Sequence, residues 1–224
     1  MKIPKFDTVK TKIFFGSDFH LSHKQPFIWQ ARGFNSIEEH ANFIIDETNK
    51  VVGEDDILFY LGDFSLNSTP DETRAYFRRF KTKHIYYIWG NHESNTWAIY
   101  QDAIREKFKG LPFVPPEVYH FTWENVTFFG KSLMVNINGQ IVILSHFAHY
   151  IWDTMQHGAW NICGHSHGNC AELVPEAAFG KVLDVGVDVA VKLNASPVVS
   201  FEEVEEILYK KAIQVRDHHN KQTT

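Results

Sequence analysis

Five short clusters of metal-ligand residue types, each set where an apolar run stops, constrain this chain more than any other feature. In order they are Asp18-Phe19-His20, Gly62-Asp63, Gly90-Asn91-His92-Glu93, His146 after Ser145, and Gly164-His165-Ser166-His167. The runs ahead of them are Lys12 to Ser17, Ile57 to Leu61, His84 to Trp89, Ile141 to Leu144 and Trp160 to Cys163. All are short and rich in β-branched or aromatic residues, the pattern of buried strands. Ligand types at the carboxyl ends of several strands fall where open α/β sheets place their sites. Imidazole nitrogen with carboxylate or amide oxygen suits zinc, manganese, iron or nickel, and does not suit a metal that demands sulfur.

Helix start signals lie between these runs. Ser36-Ile37-Glu38-Glu39 reads as a capping box for a helix to about Lys50, and Thr69-Pro70-Asp71-Glu72 as a second with proline at the first helical position. A third helix is expected after Ser94 or Asn95, ending near Gly110, and Ser200 with Glu203 opens a fourth. The second half changes character: Val126 to Phe129, Leu133 to Ile137 and Ile141 to Leu144 follow closely, with Asn138-Gly139 as a hairpin turn. The expected fold is therefore α/β, two mixed sheets flanked by helices, with residues 1–224 as a single domain. The segment Gly110 to Glu124, which carries three prolines and several aromatics, is expected to be a connecting loop that rims a pocket and sets selectivity.

The totals set limits on function. The net charge of −5 argues against a general nucleic-acid binder, and the chain holds no apolar stretch of membrane-spanning length and no signal-peptide core near Met1. The expectation is a cytoplasmic protein with no membrane partner. Cys163 and Cys170 form no Cys-x-x-Cys pair and read as reduced core thiols. No Walker lysine or Gly-x-Gly-x-x-Gly supports ATP-driven phosphotransfer. The basic residues Arg74, Arg78, Arg79, Lys81 and Lys83 read as a solvated helix face.

The ordered set Asp-x-His, Gly-Asp, Gly-Asn-His-Glu, His and Gly-His-x-His resembles the calcineurin-like metallophosphoesterases, over Asp18 to His167. It is most similar to small bacterial and phage-type members, including those with a Val-Gly-Val-Asp stretch after the last histidine pair, here Val185 to Asp188. It departs from the protein Ser/Thr phosphatase branch, because Gly62-Asp63 runs into Phe64-Ser65-Leu66-Asn67 rather than Asp-Arg-Gly. The resemblance implies a four-layer αββα sandwich and two divalent metal ions. One would be held by Asp18, His20, Asp63 and His167, the other by Asp63, Asn91, His146 and His165, with Asp63 as a bridge that its two oxygens permit.

In that scheme His92 is not a ligand and stands beside Asn91 as a proton donor to the leaving oxygen, with Glu93 to orient its imidazole. Hydrolysis of a phosphate ester by metal-bound hydroxide follows. A small phosphodiester, such as a nucleotide, is preferred over a monoester because His92 serves alkoxide leaving groups and no arginine clamp for a dianionic phosphate is evident. A nuclease and a noncatalytic scaffold are the alternatives. His23, His149 and His157 are candidates for substrate contact or for support of the ligands, whereas His40, His84 and His120 read as surface or hydrogen-bonded core residues. Phe19, Phe64 and Trp89 read as core, and His218 and His219 as part of a polar tail.

Overall fold

Apolar runs that alternate between two packed faces make the strands, and polar starts with apolar stripes make the helices. A computed structural model describes residues 3–110, 120–169 and 180–216. Its first half contains β1 (Lys5–Phe6), β2 (Ile13–Gly16), α1 (Pro26–Ala31), α2 (Ile37–Val51), β3 (Ile57–Tyr60), α3 (Pro70–Arg79), β4 (His84–Tyr87) and α4 (Ser94–Lys107). There follow β5 (Phe121–Trp123), β6 (Val126–Phe128), β7 (Ser132–Ile137), β8 (Gln140–Ser145), β9 (Trp160–Cys163), β10 (Val182–Asp184), α5 (Val187–Asn194), β11 (Val199–Ser200) and α6 (Phe201–Tyr209).

One sheet runs β11-β2-β3-β4-β6-β5, parallel through β2, β3, β4 and β6 with an antiparallel strand at each edge. The other runs β1-β7-β8-β9-β10, where only β7 and β8 are antiparallel. Asn138 and Gly139 both take positive φ, at 51° and 93°, as a two-residue hairpin turn requires, and pair Ile137 with Gln140. The period of two sorts the side chains. Ile13, Phe15, Phe59 and Leu61 face Val135, Val142, Leu144 and Ile162 between the sheets. Phe14, Leu58, Tyr60 and Tyr87 instead meet Ile44, Phe77 and Ile99 of α2, α3 and α4. The outer face of the second sheet is covered by a segment that contributes Trp152 and Met155. Two mixed sheets flanked by helices are thus present as expected.

The capping signals hold with one change. Thr69 with Glu72 and Ser200 with Glu203 form reciprocal boxes. Ser36 accepts from the Glu39 amide, but the Glu39 carboxylate turns back one residue further, to the amide of Asn35 at 2.8 Å. The short elements β1, α1, β5, β10, α5 and β11 were not expected from the sequence. The loop assigned to 110–124 ends earlier: Phe121 and Trp123 belong to β5, where Phe121 is buried beside Tyr100 and Trp123 lies against Phe77. Both rings thus pack against the core, and residues 111–119 lie outside the described residues, as do Cys170, His218 and His219.

Candidate metal centre

Parallel strands end on the same edge, so their following residues meet. Asp18 and His20 follow β2, Asp63 follows β3, Asn91 and His92 follow β4, His146 follows β8, and His165 and His167 follow β9. Backbone bonds tie these loops together: the Asp18 amide donates to the Gly62 carbonyl at 3.1 Å, His20 to Asp63 at 3.1 Å, and Gly164 to His146 at 3.0 Å. Asp18, His20, Asp63, His165 and His167 all take left-handed φ, between 48° and 69°. Such a conformation costs a non-glycine residue about 1–3 kcal/mol, and its concentration in the candidate ligands marks strain held for function.

Two glycines permit this closeness. At Gly62, with φ of 97°, a Cβ would lie 2.6 Å from both the Cα and the amide nitrogen of Gly90. At Gly164 it would strike Ser17 and lie 2.5 Å from the Asp18 carboxylate.

Lone pairs converge in the space so formed. Nδ1 of His146 lies 2.7 Å from the Leu61 carbonyl, which can only accept, so Nδ1 carries the hydrogen and Nε2 presents a lone pair. That Nε2 lies 2.8 Å from Oδ1 of Asn91 and 3.5 Å from Oδ2 of Asp63. On the other side Nδ1 of His167 donates to Asp188 at 2.7 Å, and its Nε2 stands 3.3 Å from Nε2 of His20. Nε2 of His20 is in turn 3.8 Å from Oδ2 of Asp63 and 3.9 Å from Oδ1 of Asp18. Two groups, Asp18 with His20 and His167, and Asp18 with Asp63 and His146, each bring ligand atoms within 4.8 Å. Asp18 and Asp63 both lie between the two sides.

The donor set fits divalent cations on a further ground. Oδ1 of Asp18 and Nδ1 of His20 are buried without a hydrogen-bond partner among the described residues. Burial above all, with the neighbouring Asp184 and Asp63 charges, raises the Asp18 carboxyl to about 7, although His167 opposes. Burial, reinforced by the nearby cations and imidazoles, pushes His20 well below its ordinary value. A buried carboxylate and a buried neutral imidazole side by side are costly alone and are stabilised by a cation between them.

The supporting residues are specific. Asp63 keeps Oδ2 for the centre because Oδ1 accepts the amides of Asn91 and His92, at 3.0 and 2.9 Å. Glu93 does not reach the His92 imidazole. Its Oε1 accepts the amides of Asp63 and Gly90 and its Oε2 the Tyr87 hydroxyl, so it fixes the loops that carry Asp63 and Asn91. His92 is exposed, with its ring 5.9 Å from that of His20. His165 is exposed, its ring 5.1 Å from His146 and 4.4 Å from Phe147, outside both ligand groups. His23 is buried between His20 and Phe27, whereas His149 is held through its amide to Asn161, and His157 is exposed.

Arg32 was missed by the sequence reading, and Asp188 was noted only as the end of a motif. Arg32 forms a bidentate pair with Asp188 at 2.8 and 2.7 Å, bonds the carbonyls of Asp18 and Phe19, and meets His40 at 3.0 Å. Burial alone would raise Asp188, but the bonds from Arg32 and His167 outweigh it and hold its carboxyl well below the usual range. No local signal announces Arg32, since its partners lie 8 to 156 residues away. His40 is, as expected, a hydrogen-bonded core residue. The basic residues in and just after α3 find acidic partners: Arg74 pairs with Asp71 and Asp102, Arg78 with Glu124, and Lys83, ahead of β4, with Glu54. Among the described residues no helix is long and apolar enough to cross a membrane.

The sequence model of the calcineurin-like phosphoesterases matches residues 11–169. The chain is similar to the uncharacterized protein MJ1445 of Methanocaldococcus jannaschii, 26% identical over 188 residues covering 84% of this chain and 86% of that protein. Among solved structures it is similar to the protein of unknown function AQ665 from Aquifex aeolicus, with a TM-score of 0.61 over 88% of this chain and 99% of that one. At 14% identity, that likeness is one of fold.

Proposed function

Because the chain belongs to the calcineurin-like phosphoesterase family, whose chemistry is metal-dependent hydrolysis of phosphate esters, we propose that it is a dinuclear phosphodiesterase of small nucleotide-like esters in the cytoplasm. The observation that carries this reading is Oδ2 of Asp63, flanked by Nε2 of His20 at 3.8 Å and Nε2 of His146 at 3.5 Å. One divalent ion, drawn from manganese, zinc, iron or nickel, would be held by Asp18, His20, Asp63 and His167. Its neighbour would be held by Asp63, Asn91, His146 and His165, so that Asp63 would contribute to both. When bound, two such ions supply a water acidified to neutral pH and polarise the phosphoryl oxygens.

The chain's own residues do the rest. Asp63 is aimed by the two amides on its Oδ1, and His167 is fixed by Asp188, so neither has to reorganise when substrate arrives. As water adds to phosphorus, the bond to the leaving oxygen breaks and His92 gives that oxygen its proton, so a diester yields a monoester and an alcohol. Diesters are favoured over monoesters because Arg32 is committed to Asp188 and to backbone carbonyls, and is not available to clamp a dianionic phosphate. The paired basic residues of α3 weigh against a polynucleotide substrate.

The test is metal-stripped protein reconstituted in turn with each of the four metals and assayed on bis(4-nitrophenyl) phosphate and 4-nitrophenyl phosphate. Restored diester cleavage is expected, and Asp63→Asn should lose it together with occupancy of both sites. Preference for the monoester would make the protein a phosphatase. Two bound ions with neither ester cleaved would favour a noncatalytic binding module.

A further inference from the structure

Beside the centre lies a cavity of about 730 Å³, within the range that takes an organic ligand. His167 and Asp188 form its wall toward the candidate metal ligands, so an ester held among those ligands would place a neighbouring group in the cavity. The opposite walls, from α1, α2, the turn between them and α5, are largely apolar and carry three phenyl rings, Phe27, Phe34 and Phe43. A continuous row of rings joins the two. His167 stacks on His20 at 5.1 Å, His20 meets His23 at 5.9 Å, and His23 meets Phe27 at 5.0 Å. Phe27 ends the row 65% exposed, with its ring steadied by His23 rather than buried in the core.

We propose that this cavity receives a planar aromatic group carried by the ester, of the nucleobase kind, and thereby sets the substrate class; this rests on the phosphoesterase reading above. The lining decides the chemistry. Arg32 and Asp188 neutralise each other in a half-buried pair, so the wall they share with His167 offers no unpaired charge to a second phosphate. Phenyl rings favour a flat partner, stacked or edge-on, over an alkyl chain. At the rim, Lys192 has no ion-pair partner among the described residues and disfavours a cation, while the exposed Asn169 carboxamide offers a donor and an acceptor to a polar ring edge. A heteroaromatic ring meets all of these conditions, and an unsubstituted aryl group meets only the apolar ones.

The experiment measures binding of adenosine monophosphate, phenylphosphonate and methylphosphonate to the metal-loaded full chain by isothermal titration, beside hydrolysis of the corresponding 4-nitrophenyl esters. Adenosine monophosphate should bind about tenfold more tightly than methylphosphonate, as one stacked base provides. Phe27→Ala, which removes the stacking face, and Val191→Trp, which fills the cavity from the exposed side of α5, should each collapse that ratio. A ratio near one in the wild type, or one that survives Val191→Trp, overturns the proposal. Phenylphosphonate equal to adenosine monophosphate overturns the nucleobase assignment in favour of any aryl group. A binding ratio that collapses as expected with no ester cleaved leaves the cavity's role standing and sinks the hydrolytic reading, whereas cleavage with no ratio does the reverse.

Discussion

Oδ2 of Asp188 stands 2.7 Å from Nδ1 of His167, and because a carboxylate only accepts, this contact decides which nitrogen of the imidazole faces the centre. The same oxygen takes a hydrogen bond from Arg32 at 2.7 Å, so the orientation of one candidate ligand is anchored through a half-buried ion pair. Aligning donors beforehand is how a supporting carboxylate raises metal affinity without touching the metal.

Asp188→Asn therefore has a specific expected outcome. Asparagine keeps the shape but loses the charge, and its carbonyl oxygen cannot serve Arg32 and His167 as two carboxylate oxygens do. Affinity for the metal bound by His167 should fall by about 10–100-fold. Metal titration followed by calorimetry checks this, and unchanged affinity for both ions would remove Asp188 from the centre.

Two glycines of similar backbone geometry separate strain from contact. Gly62 has φ of 97° and Gly139 has φ of 93°, but a Cβ at Gly139 meets nothing within 4 Å whereas one at Gly62 meets Gly90 at 2.6 Å. Gly139→Ala should cost about 1–2 kcal/mol in urea unfolding, the left-handed penalty alone. Gly62→Ala should cost about 1–3 kcal/mol more, from forced separation of the loops, and should also lower metal occupancy. Equal losses would mean that the Gly62 to Gly90 approach is not enforced.

His40 predicts an acid sensitivity. Its imidazole is fully buried with Nε2 accepting from Arg32 at 3.0 Å, and burial followed by the Arg32 charge lowers it from 6.5 to about 3, against an opposing Asp188 and with a small addition from His23. The folded state refuses a proton that the unfolded chain takes up below about 6.5, so this contribution to stability is complete above that pH and is lost as pH falls toward 3. At pH 5 the loss is about 2 kcal/mol. His40→Gln, whose side-chain carbonyl can still accept from Arg32, should lose correspondingly less stability between pH 7.5 and pH 5 by urea unfolding. Parallel losses in the two proteins would assign the acid sensitivity elsewhere.

What was legible in the sequence follows from the range of the interactions involved. Strands β2, β3, β4, β8 and β9 could be read because buried parallel strands are continuous apolar runs, and the ligand types stand immediately after them. Thr69 and Ser200 could be read because a capping box is complete within four residues. Arg32 could not, since an arginine in a turn gives no local sign of a partner 156 residues on. Glu93 shows the limit on the other side. Its position beside His92 suggested that it orients the imidazole, yet burial and three hydrogen-bond donors from Tyr87, Gly90 and Asp63 draw its carboxylate the other way. Adjacency in sequence did not determine direction in space.

His92 separates the proton-donor role from the ligand roles. Its amide is held by Asp63 at 2.9 Å while its side chain is exposed, so truncation removes the imidazole without displacing Asp63 or Asn91. His92→Ala should keep both metals and lose about 10²–10⁴ in kcat on diesters whose leaving group is an alkoxide. On 4-nitrophenyl esters, whose leaving group departs without a proton, the loss should be much smaller. The slope of log kcat against leaving-group pKa should therefore be steeper in the variant than in the wild type. Equal slopes with both ions still bound would take general-acid catalysis away from His92, and metal loss on its truncation would make it a ligand instead.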